Sequence, residues 1–301
     1  MTPQPLDRKG LAVAAGTFAL WGVVPVYWNL LKVVPALHIV MHRIVWSALL
    51  VVGWLLLREG WRWLDAVRVQ PRAMAILALT SVLIAGNWGI YIWAVNNGHV
   101  IETSLGYFIN PLINVALGVL VLRERLTRLQ WVAVACAAAG VAWLTWSAGT
   151  PPWISLSLAI SFALYGLLRK LAPVDAVAGL GVESLYLFLP ALLFVLWGEF
   201  GHGGGFVDGW GWRVDLLLVF GGVITAAPLI GFAYGVRRIP FSLVGLLQYI
   251  APTLQLLLGV FFYKEAFGPE RAVGFAIIWA GLLLYAGEGL WRAQRRRRRP
   301  T

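Results

Sequence analysis

The chain has 301 residues, of which 60% are hydrophobic and only 12% are charged, and 17 are tryptophan. A soluble domain carries about 25% charged residues, so this composition excludes an ordinary soluble protein and favours a membrane-embedded one. The formal net charge is +11, and the segment WRAQRRRRRP near the C-terminus carries six of the arginines. Since Lys and Arg mark the cytoplasmic side of membrane proteins and contact anionic lipid, we assign this segment to topology and expect no nucleic-acid partner.

Ten apolar segments follow one another, each close to the length that a helix needs to cross the hydrocarbon core. Their predicted extents are 10–31, 36–57, 73–95, 102–122, 129–147, 152–168, 177–198, 214–236, 241–263 and 271–291. The polar start MTPQPLDRKG runs into the first segment without a small-residue cleavage site, so we expect the first helix to be retained. The predicted fold class is an all-α integral membrane protein with ten transmembrane helices.

The distribution of basic residues orients these helices. With the N-terminus in the cytoplasm, nineteen of the 24 Lys and Arg fall in cytoplasmic segments, four lie on the opposite side and Arg43 lies within a span. Such a bias predicts that both termini and the 58–72 loop are cytoplasmic, and that the 199–212 loop lies on the other side of the membrane.

The second half of the sequence repeats the first with an offset of 141 residues. This offset sets Pro252 under Pro111, and Glu265 under Glu124, while FALYG at 162–166 matches FALWG at 18–22 with an offset of 144. A five-helix unit reverses its orientation when it is repeated, so the sequence predicts two inverted five-helix repeats around a central cavity. We place the repeats at 1–150 and 151–291, followed by a basic cytoplasmic tail at 292–301.

Two predicted spans carry amides and prolines on one helical face, at spacings of three, four and seven. These residues are Tyr107, Asn110, Pro111 and Asn114 in the fourth span, and Gln248, Pro252 and Gln255 in the ninth. Unpaired amides are costly in hydrocarbon and proline frees a backbone carbonyl, so we expect both faces to line a substrate-binding cavity, with the two prolines serving gating or coupling. Polar contacts that merely join helices are the alternative.

Two charges lie inside predicted spans. Arg43 is seven residues into the second span, too deep to reach the interface easily, which makes it a candidate for substrate binding; a structural ion pair is the alternative. Glu183 is the deepest acid, and we assign it to gating or coupling. Pairing with a cation, binding of a proton and a position near the interface all remain open for Glu183.

Aromatic and amide side chains add further candidates for substrate binding, and an aromatic cavity suits flat or amphipathic solutes. They are Trp21, Tyr27, Asn87, Trp88, Tyr91 and Tyr165. The alternative for such rings is anchoring at the membrane interface. The chain lacks the ATPase motif G-x-x-x-x-G-K-[ST] and the metalloprotease motif H-E-x-x-H, so we expect no cofactor, metal site or catalytic residue.

Several segments together resemble the RarD permeases, called chloramphenicol-sensitive proteins, within the EamA branch of the drug/metabolite transporter superfamily. They are FALWGVVPVYWNLLKVVPALHIVMHRIVWS, NWGIYIWAVNNGHVIETSLGYFINPLINVALG, RERLTRLQWVA, FALYGLLRK and QYIAPT. The resemblance implies a bacterial inner-membrane carrier in which the first four helices of each half surround a central cavity, with amino acids, other metabolites or drugs as substrates. The RarD pattern commonly has an acid at the place of His38 and a lysine at the place of Asn29.

These features predict a secondary active transporter that exports a small organic metabolite or drug by alternating access, without covalent chemistry. A passive facilitator or channel of the same fold is the alternative, and a membrane-embedded enzyme is a third. The expected partners are the solute and the lipid bilayer, with the proton as the coupling ion considered. The sequence leaves monomer and homodimer open.

Overall fold

The structure, a computed structural model, describes residues 7–97, 99–148, 153–207, 209–262 and 268–297. These residues form helices and short connections, without a strand. The helices are α1 (Arg8–Asn29), α2 (Ala36–Glu59), α3 (Arg62–Arg68), α4 (Pro71–Asn96), α5 (Val100–Leu120), α6 (Arg128–Ala148), α7 (Trp153–Leu171), α8 (Ala176–Glu199), α9 (Trp212–Val236), α10 (Phe241–Leu247), α11 (Ile250–Leu257), which runs into a π-helical turn (Leu258–Phe262), and α12 (Pro269–Arg297).

Seven of the described helices, namely α1, α2, α4, α6, α7, α8 and α9, are long and apolar enough to cross a membrane. Three shorter apolar stretches, Leu105–Leu120, Phe241–Leu257 and Ala272–Tyr285, coincide with the remaining predicted spans. The predicted all-α membrane fold is therefore confirmed, and the helices agree with a count of ten spans. The short connections make successive spans antiparallel.

Two elements differ from the predicted spans. The connection after α2 contains the short helix α3, which buries Trp63 and Val67 and exposes its charged side chains. The ninth predicted helix is divided, because α10 ends at Leu247 and α11 begins at Ile250. Pro252 accounts for the break, since it has no N–H to offer the carbonyl of Gln248, which instead accepts from a turn N–H at 3.2 Å.

The helix contacts exchange when each span is replaced by the span five places later. α1 packs on α9 and α11, and its counterpart α7 packs on α4 and α5; α2 packs on α9, and its counterpart α8 packs on α4. The remaining large contacts, α2 with α8, α5 with α10 and α6 with α12, join counterparts to each other. This is the packing expected of two inverted five-helix units. The predicted boundary at residue 150 lies outside the described residues, and α12 continues into the predicted tail as far as Arg297.

The contact between α6 and α12 depends on two glycines that the repeat places in equivalent positions. A Cβ atom at Gly140 would lie 2.8 Å from the backbone oxygen of Gly274, and one at Gly281 would lie 2.6 Å from the backbone oxygen of Ala133. Both distances are too short for a real side chain, so the two backbones approach as closely as small residues allow.

Side chains at the helix starts satisfy first-turn backbone groups. Asp7 accepts a backbone N–H of α1 at 2.9 Å, and Asp175 accepts one of α8 at 2.8 Å. Thr127 and Gln130 form a capping box at the start of α6, in which each side chain bonds the backbone N–H of the other residue, at 3.1 and 2.9 Å.

Candidate functional site

A central cavity of about 460 Å³ lies between the two halves of the bundle. Its wall, hereafter the cavity wall, consists of residues from α1, α2, α4, α5, α7, α9, α11 and the turn before α11. These residues are Phe18, Trp21, Val24, Pro25, Trp28, Ala36, Ile39, Val40, Arg43, Ile84, Asn87, Trp88, Tyr91, Thr103, Gly106, Tyr107, Asn110, Leu158, Phe162, Ile224, Thr225, Leu229, Gln248, Ala251, Pro252 and Gln255. A volume of this size is typical of small-molecule sites.

The cavity occupies one half of the bundle along the membrane normal. α1 starts at the end that carries the N-terminus and reaches the cavity wall only from Phe18 onward, whereas α2 runs back from the other end and contributes its first two turns, up to Arg43. α5 and α7 likewise contribute from their far ends. We call the half with the N-terminus the terminal half and the half with the cavity the distal half.

Most of the residues that the sequence predicts for binding lie on the cavity wall. They are Trp21, Arg43, Asn87, Trp88, Tyr91, Tyr107, Asn110, Gln248 and Gln255, together with Pro252 from the predicted gating set. Five predicted residues lie away from the wall, namely Tyr27, Asn114, Tyr165, Pro111 and Glu183. The hydroxyl of Tyr27 donates to the backbone oxygen of Leu217, which ties α1 to α9 behind the wall.

Arg43 faces the cavity without a carboxylate partner. Its Nε donates to Thr225 Oγ1 at 2.9 Å, and its guanidinium carbon lies 4.6 Å from the ring centroid of Trp28 and 5.0 Å from that of Trp88. Among the residues that the structure describes, Arg43 takes part in no salt bridge. Cation–π contacts of this kind hold a guanidinium in place without neutralising its charge.

Amides on α5 and in the turn before α11 form a connected network. Asn110 Nδ2 donates to the backbone oxygen of Ala159 at 2.6 Å, and Asn114 Nδ2 donates to Gln248 Oε1 and, at 3.3 Å, to Asn110 Oδ1. Asn114 is fully buried behind the wall. Asn110 and Gln248 thus present amides to the cavity, while Asn114 joins α5 to the end of α10.

Gln255 and Asn87 use their amides to bind backbone oxygens of neighbouring helices. Pro25 has no N–H for the carbonyl of Trp21 within α1, and Gln255 Nε2 supplies a donor to that carbonyl at 3.2 Å. Asn87 Nδ2 donates to the backbone oxygen of Leu158 at 2.9 Å and joins α4 to α7. These contacts place polar side chains on the wall at points where two helices meet.

Aromatic rings close the inner end of the cavity, and we call them the aromatic floor. Phe232 lies at its centre, with ring centroids 6.1 Å from Phe18, 5.8 Å from Trp21, 5.3 Å from Phe162 and 6.0 Å from Tyr165. The floor brings α1, α7 and α9 together and separates the cavity from the terminal half.

Beneath the floor, a buried ion pair joins α7 to α8. Arg169 Nε lies 3.6 Å from Glu183 Oε1, and the two side chains are only 1% and 3% exposed. Glu183 also accepts from Thr80 Oγ1 at 2.5 Å and from the Tyr165 hydroxyl at 3.4 Å. Of the alternatives open for Glu183, the structure shows pairing with a cation.

The position of Arg169 differs from the expectation that it is a loop charge. α7 continues to Leu171, three residues beyond the predicted end of the span, so Arg169 is carried inside the bundle. Its neighbour Lys170 also turns inward, and its Nζ donates to the backbone oxygens of Val236 and Ile239 at 2.6 and 2.7 Å, where α9 ends. Hydropathy alone placed both residues outside, because a charged pair at a helix end reads as an interface.

Pro25, Thr225 and Phe162 are wall residues that the sequence analysis did not select. Pro25 had a signal, since a proline within the first predicted span frees a carbonyl that another helix must satisfy. Thr225 had none, because a single threonine in an apolar helix can bond its own backbone, as it does here to Gly221 at 2.7 Å.

Comparison with known proteins agrees with this architecture. The sequence profile of the EamA-like transporter family matches residues 8–146 and again residues 152–287. "Protein RarD" of Streptomyces exfoliatus is 46% identical over 99% of this chain and 95% of that protein. "Uncharacterized transporter YojE" of Bacillus subtilis is 44% identical over 92% of this chain and 93% of its own, and "Chloramphenicol-sensitive protein RarD" of Pseudomonas aeruginosa is 37% identical over 97% and 99%.

A solved crystal structure has the same fold, with a TM-score of 0.70 at 20% identity, over 92% of this chain and 96% of the other. The relatives are named as transporters and permeases, so the chain is a transporter and not an enzyme. The two profile matches and the near-complete similarity to several RarD proteins show that this chain belongs to the EamA-like transporter family, as a permease of the RarD type.

Proposed function

We propose that the protein is a secondary active transporter that exports a small organic solute across the bacterial inner membrane by alternating access. The observation that carries the proposal is the one-sided cavity between the two halves of the bundle, closed in the terminal half by the aromatic floor and by the Arg169–Glu183 pair. With both termini in the cytoplasm, as the basic residues predict, this cavity faces the periplasm. The described conformation is then the one that releases an exported solute.

The repeat supplies the second conformation. Ile39 and Arg43 on the wall have counterparts 141 residues later, at Leu180 and Ser184, and both counterparts are buried in the terminal half. If the two halves exchange their conformations, these buried positions become the wall of a cytoplasmic cavity. The exchange requires α8 to move away from α4 and α7, which separates Glu183 from its partners.

Glu183, Pro111 and Pro252 take the gating roles in this proposal. Opening of the terminal half exposes the carboxylate of Glu183, which makes it the group through which a proton could be coupled to transport. Pro252 lies at the break between α10 and α11, and Pro111 lies at the equivalent place in α5, so each proline weakens a helix where the halves must bend.

A carrier and a passive facilitator differ in their response to solute on the far side of the membrane. We would first find a ligand by thermal shift of the purified protein, because a solute at about 100 times its Kd stabilises the folded state by about 2.7 kcal/mol. Chloramphenicol enters the panel because a relative is named for sensitivity to it, and amino acids enter because the family resemblance includes them.

The ligand is then loaded, unlabelled, into proteoliposomes and its labelled form is added outside. A carrier accumulates label transiently by counterflow, and this result is expected. Uptake that merely equilibrates and ignores the internal solute would identify a facilitator and contradict the proposal.

A further inference from the structure

We propose that the transported solute is an organic anion whose negative group binds Arg43 and whose flat ring packs on the aromatic part of the cavity wall. This inference rests on the proposed function and adds the chemical class of the solute to it. Its basis is the charge of the wall. Arg43 is the one charged residue among the described residues that form the wall, which otherwise consists of aromatic, aliphatic, amide and hydroxyl side chains.

The guanidinium has donors available for a ligand. Arginine carries five N–H donors, and in this structure Nε is occupied by Thr225 at 2.9 Å. No described residue accepts a hydrogen bond from the two Nη groups. A carboxylate binds two guanidinium N–H groups in parallel, and a charge-assisted pair of this kind is stronger than a hydrogen bond between neutral groups.

The rings around Arg43 fix its position rather than replace an anion. Trp28 and Trp88 lie within 5.0 Å of the guanidinium carbon and come from two helices, α1 and α4. They limit the movement of the side chain, so less conformational entropy is lost when a ligand binds. Their faces attract the cation but leave its net charge unchanged, and an anion in the cavity removes that imbalance.

The fold does not require an arginine at this place. The position 141 residues after Arg43 is Ser184, which lies on α8 and is buried. Helix packing at an equivalent position is therefore satisfied by a small side chain. A charge inside a membrane span is expensive, and an arginine that serves neither packing nor an ion pair is best explained by a ligand.

The remainder of the wall favours a ring beside the negative group. Trp21 and Phe162 belong to both the wall and the aromatic floor, and their ring centroids are 5.8 Å apart at an interplanar angle of 74°. A flat ring can pack against such an edge-to-face pair. Because the described wall holds no carboxylate, a cationic solute gains no opposite charge there, and a zwitterion leaves its ammonium group without one.

Four solutes that share one phenylpropyl frame test this inference on the intact chain. They are 3-phenylpropanoate (anion), 3-phenylpropanamide (neutral), 3-phenylpropylamine (cation) and phenylalanine (zwitterion), each titrated into the detergent-purified protein at pH 7.5. We expect the anion to bind about 10- to 100-fold more tightly than the amide, as for a hydrogen-bonded charge pair, and the amine to bind weakest. Binding of the amide, the amine or the zwitterion as tightly as the anion, or no binding of the anion, would overturn the proposal.

Arg43→Gln locates the preference within the cavity. This variant should bind the anion and the amide equally, whereas Arg58→Gln should keep the preference. Arg58 is a matched control, because it also lies over a tryptophan ring, 5.2 Å from Trp54, but is exposed and away from the cavity. An anion preference that survives in Arg43→Gln contradicts the proposal, and if that variant does not fold, the order of the four solutes on the unaltered chain decides alone.

The same solutes separate this inference from the proposed function. If the anion fails to bind while another solute shows counterflow, the protein is a carrier and the anion class is wrong. If the anion binds through Arg43 but no solute shows counterflow, the site assignment holds and the carrier function is wrong.

Discussion

Single residues in this protein carry charge in two opposite settings. Arg43 lies in the cavity with two rings and a hydroxyl around it, and Arg169 lies in the terminal half against Glu183. Burial of a charge is tolerable only where a partner offsets the loss of water. The first residue therefore awaits a ligand, and the second holds two helices together.

Removal of either member of the buried pair should destabilise the protein strongly. Glu183→Gln or Arg169→Gln leaves a buried group without its partner, and we expect each to cost about 3–5 kcal/mol in the free energy of unfolding. The double variant Glu183→Leu with Arg169→Met removes both charges and should cost less than either single change. Melting temperatures in detergent compare the three, and a double variant that is the least stable would contradict the assignment.

The three amides of the network should separate into two roles. Asn110→Leu and Gln248→Leu remove amides from the cavity wall, so we expect roughly 5- to 30-fold weaker binding of a polar solute. Asn114→Leu leaves Gln248 without its donor behind the wall and should mainly lower the melting temperature. Both quantities are measured on the same preparations. Unchanged affinity in Asn110→Leu and Gln248→Leu would show that these amides serve helix packing alone.

The sequence predicted the face that these amides share, but it could not show which part of the face stays open. Asn110 and Asn114 are one helical turn apart, yet only Asn110 reaches the cavity wall. The reason is Gly245 of α10, where a Cβ atom would lie 2.5 Å from the carbonyl oxygen of Pro111 and 3.1 Å from Asn114 Cβ. Helical periodicity describes one helix, whereas coverage by α10 depends on the packing of two.

At the scale of elements, Glu124 links the two repeats by capping α10 from outside that helix. Its carboxylate accepts from the backbone N–H of Phe241 at 2.6 Å and from the N–H and hydroxyl of Ser242 at 2.9 and 2.6 Å. A negative group at a helix start satisfies free donors and interacts favourably with the helix dipole. The counterpart that the repeat predicts, Glu265, lies outside the described residues.

Glu124→Ala should therefore destabilise the protein although the residue lies in a connection. The first-turn donors of α10 lose their acceptor, and we expect a loss of about 1–3 kcal/mol. Glu59→Ala is the control, because Glu59 is an exposed acid at the end of α2. Equal melting temperatures for the two variants would show that the cap contributes nothing.

The close contact of α6 and α12 gives a second prediction at this scale. Gly140→Ala and Gly281→Ala each place a methyl group within 3.0 Å of a backbone oxygen of the other helix, so we expect each to cost about 1–3 kcal/mol through overpacking. Gly53→Ala is the control, since a Cβ atom there meets nothing within 4 Å. If all three variants melt alike, the two helices can separate without cost.

Hydropathy predicted the existence and order of the spans well, because long apolar runs have few other uses. It did not predict α3, whose buried face is only Trp63 and Val67, nor the break between α10 and α11. Pro252 signalled that break, but its counterpart Pro111 lies within an unbroken α5. The same local signal has two outcomes because the two halves are in different conformations.

The whole molecule combines a nearly symmetric sequence with an asymmetric conformation. The repeat pattern permits a cavity at either end of the bundle, so the sequence could predict a central cavity but not the half in which it lies. Packing decides this choice, through the aromatic floor and the ion pair of the terminal half. A two-state element of this kind is what alternating access requires.

The most direct test of the account compares Ile39 with Leu180, two positions that the repeat makes equivalent. Each is replaced by cysteine in a Cys136→Ser chain, and labelling by an impermeant maleimide is measured in membrane vesicles of both orientations. We expect Ile39→Cys to react from the side opposite the termini and Leu180→Cys to be protected.

Thr80→Val, which removes the hydrogen bond to Glu183, should shift the molecule toward the second conformation. In that background the account predicts faster labelling of Leu180→Cys from the terminal side together with slower labelling of Ile39→Cys from the opposite side. Faster labelling at position 180 without a decrease at position 39, or no change at either, would contradict alternating access.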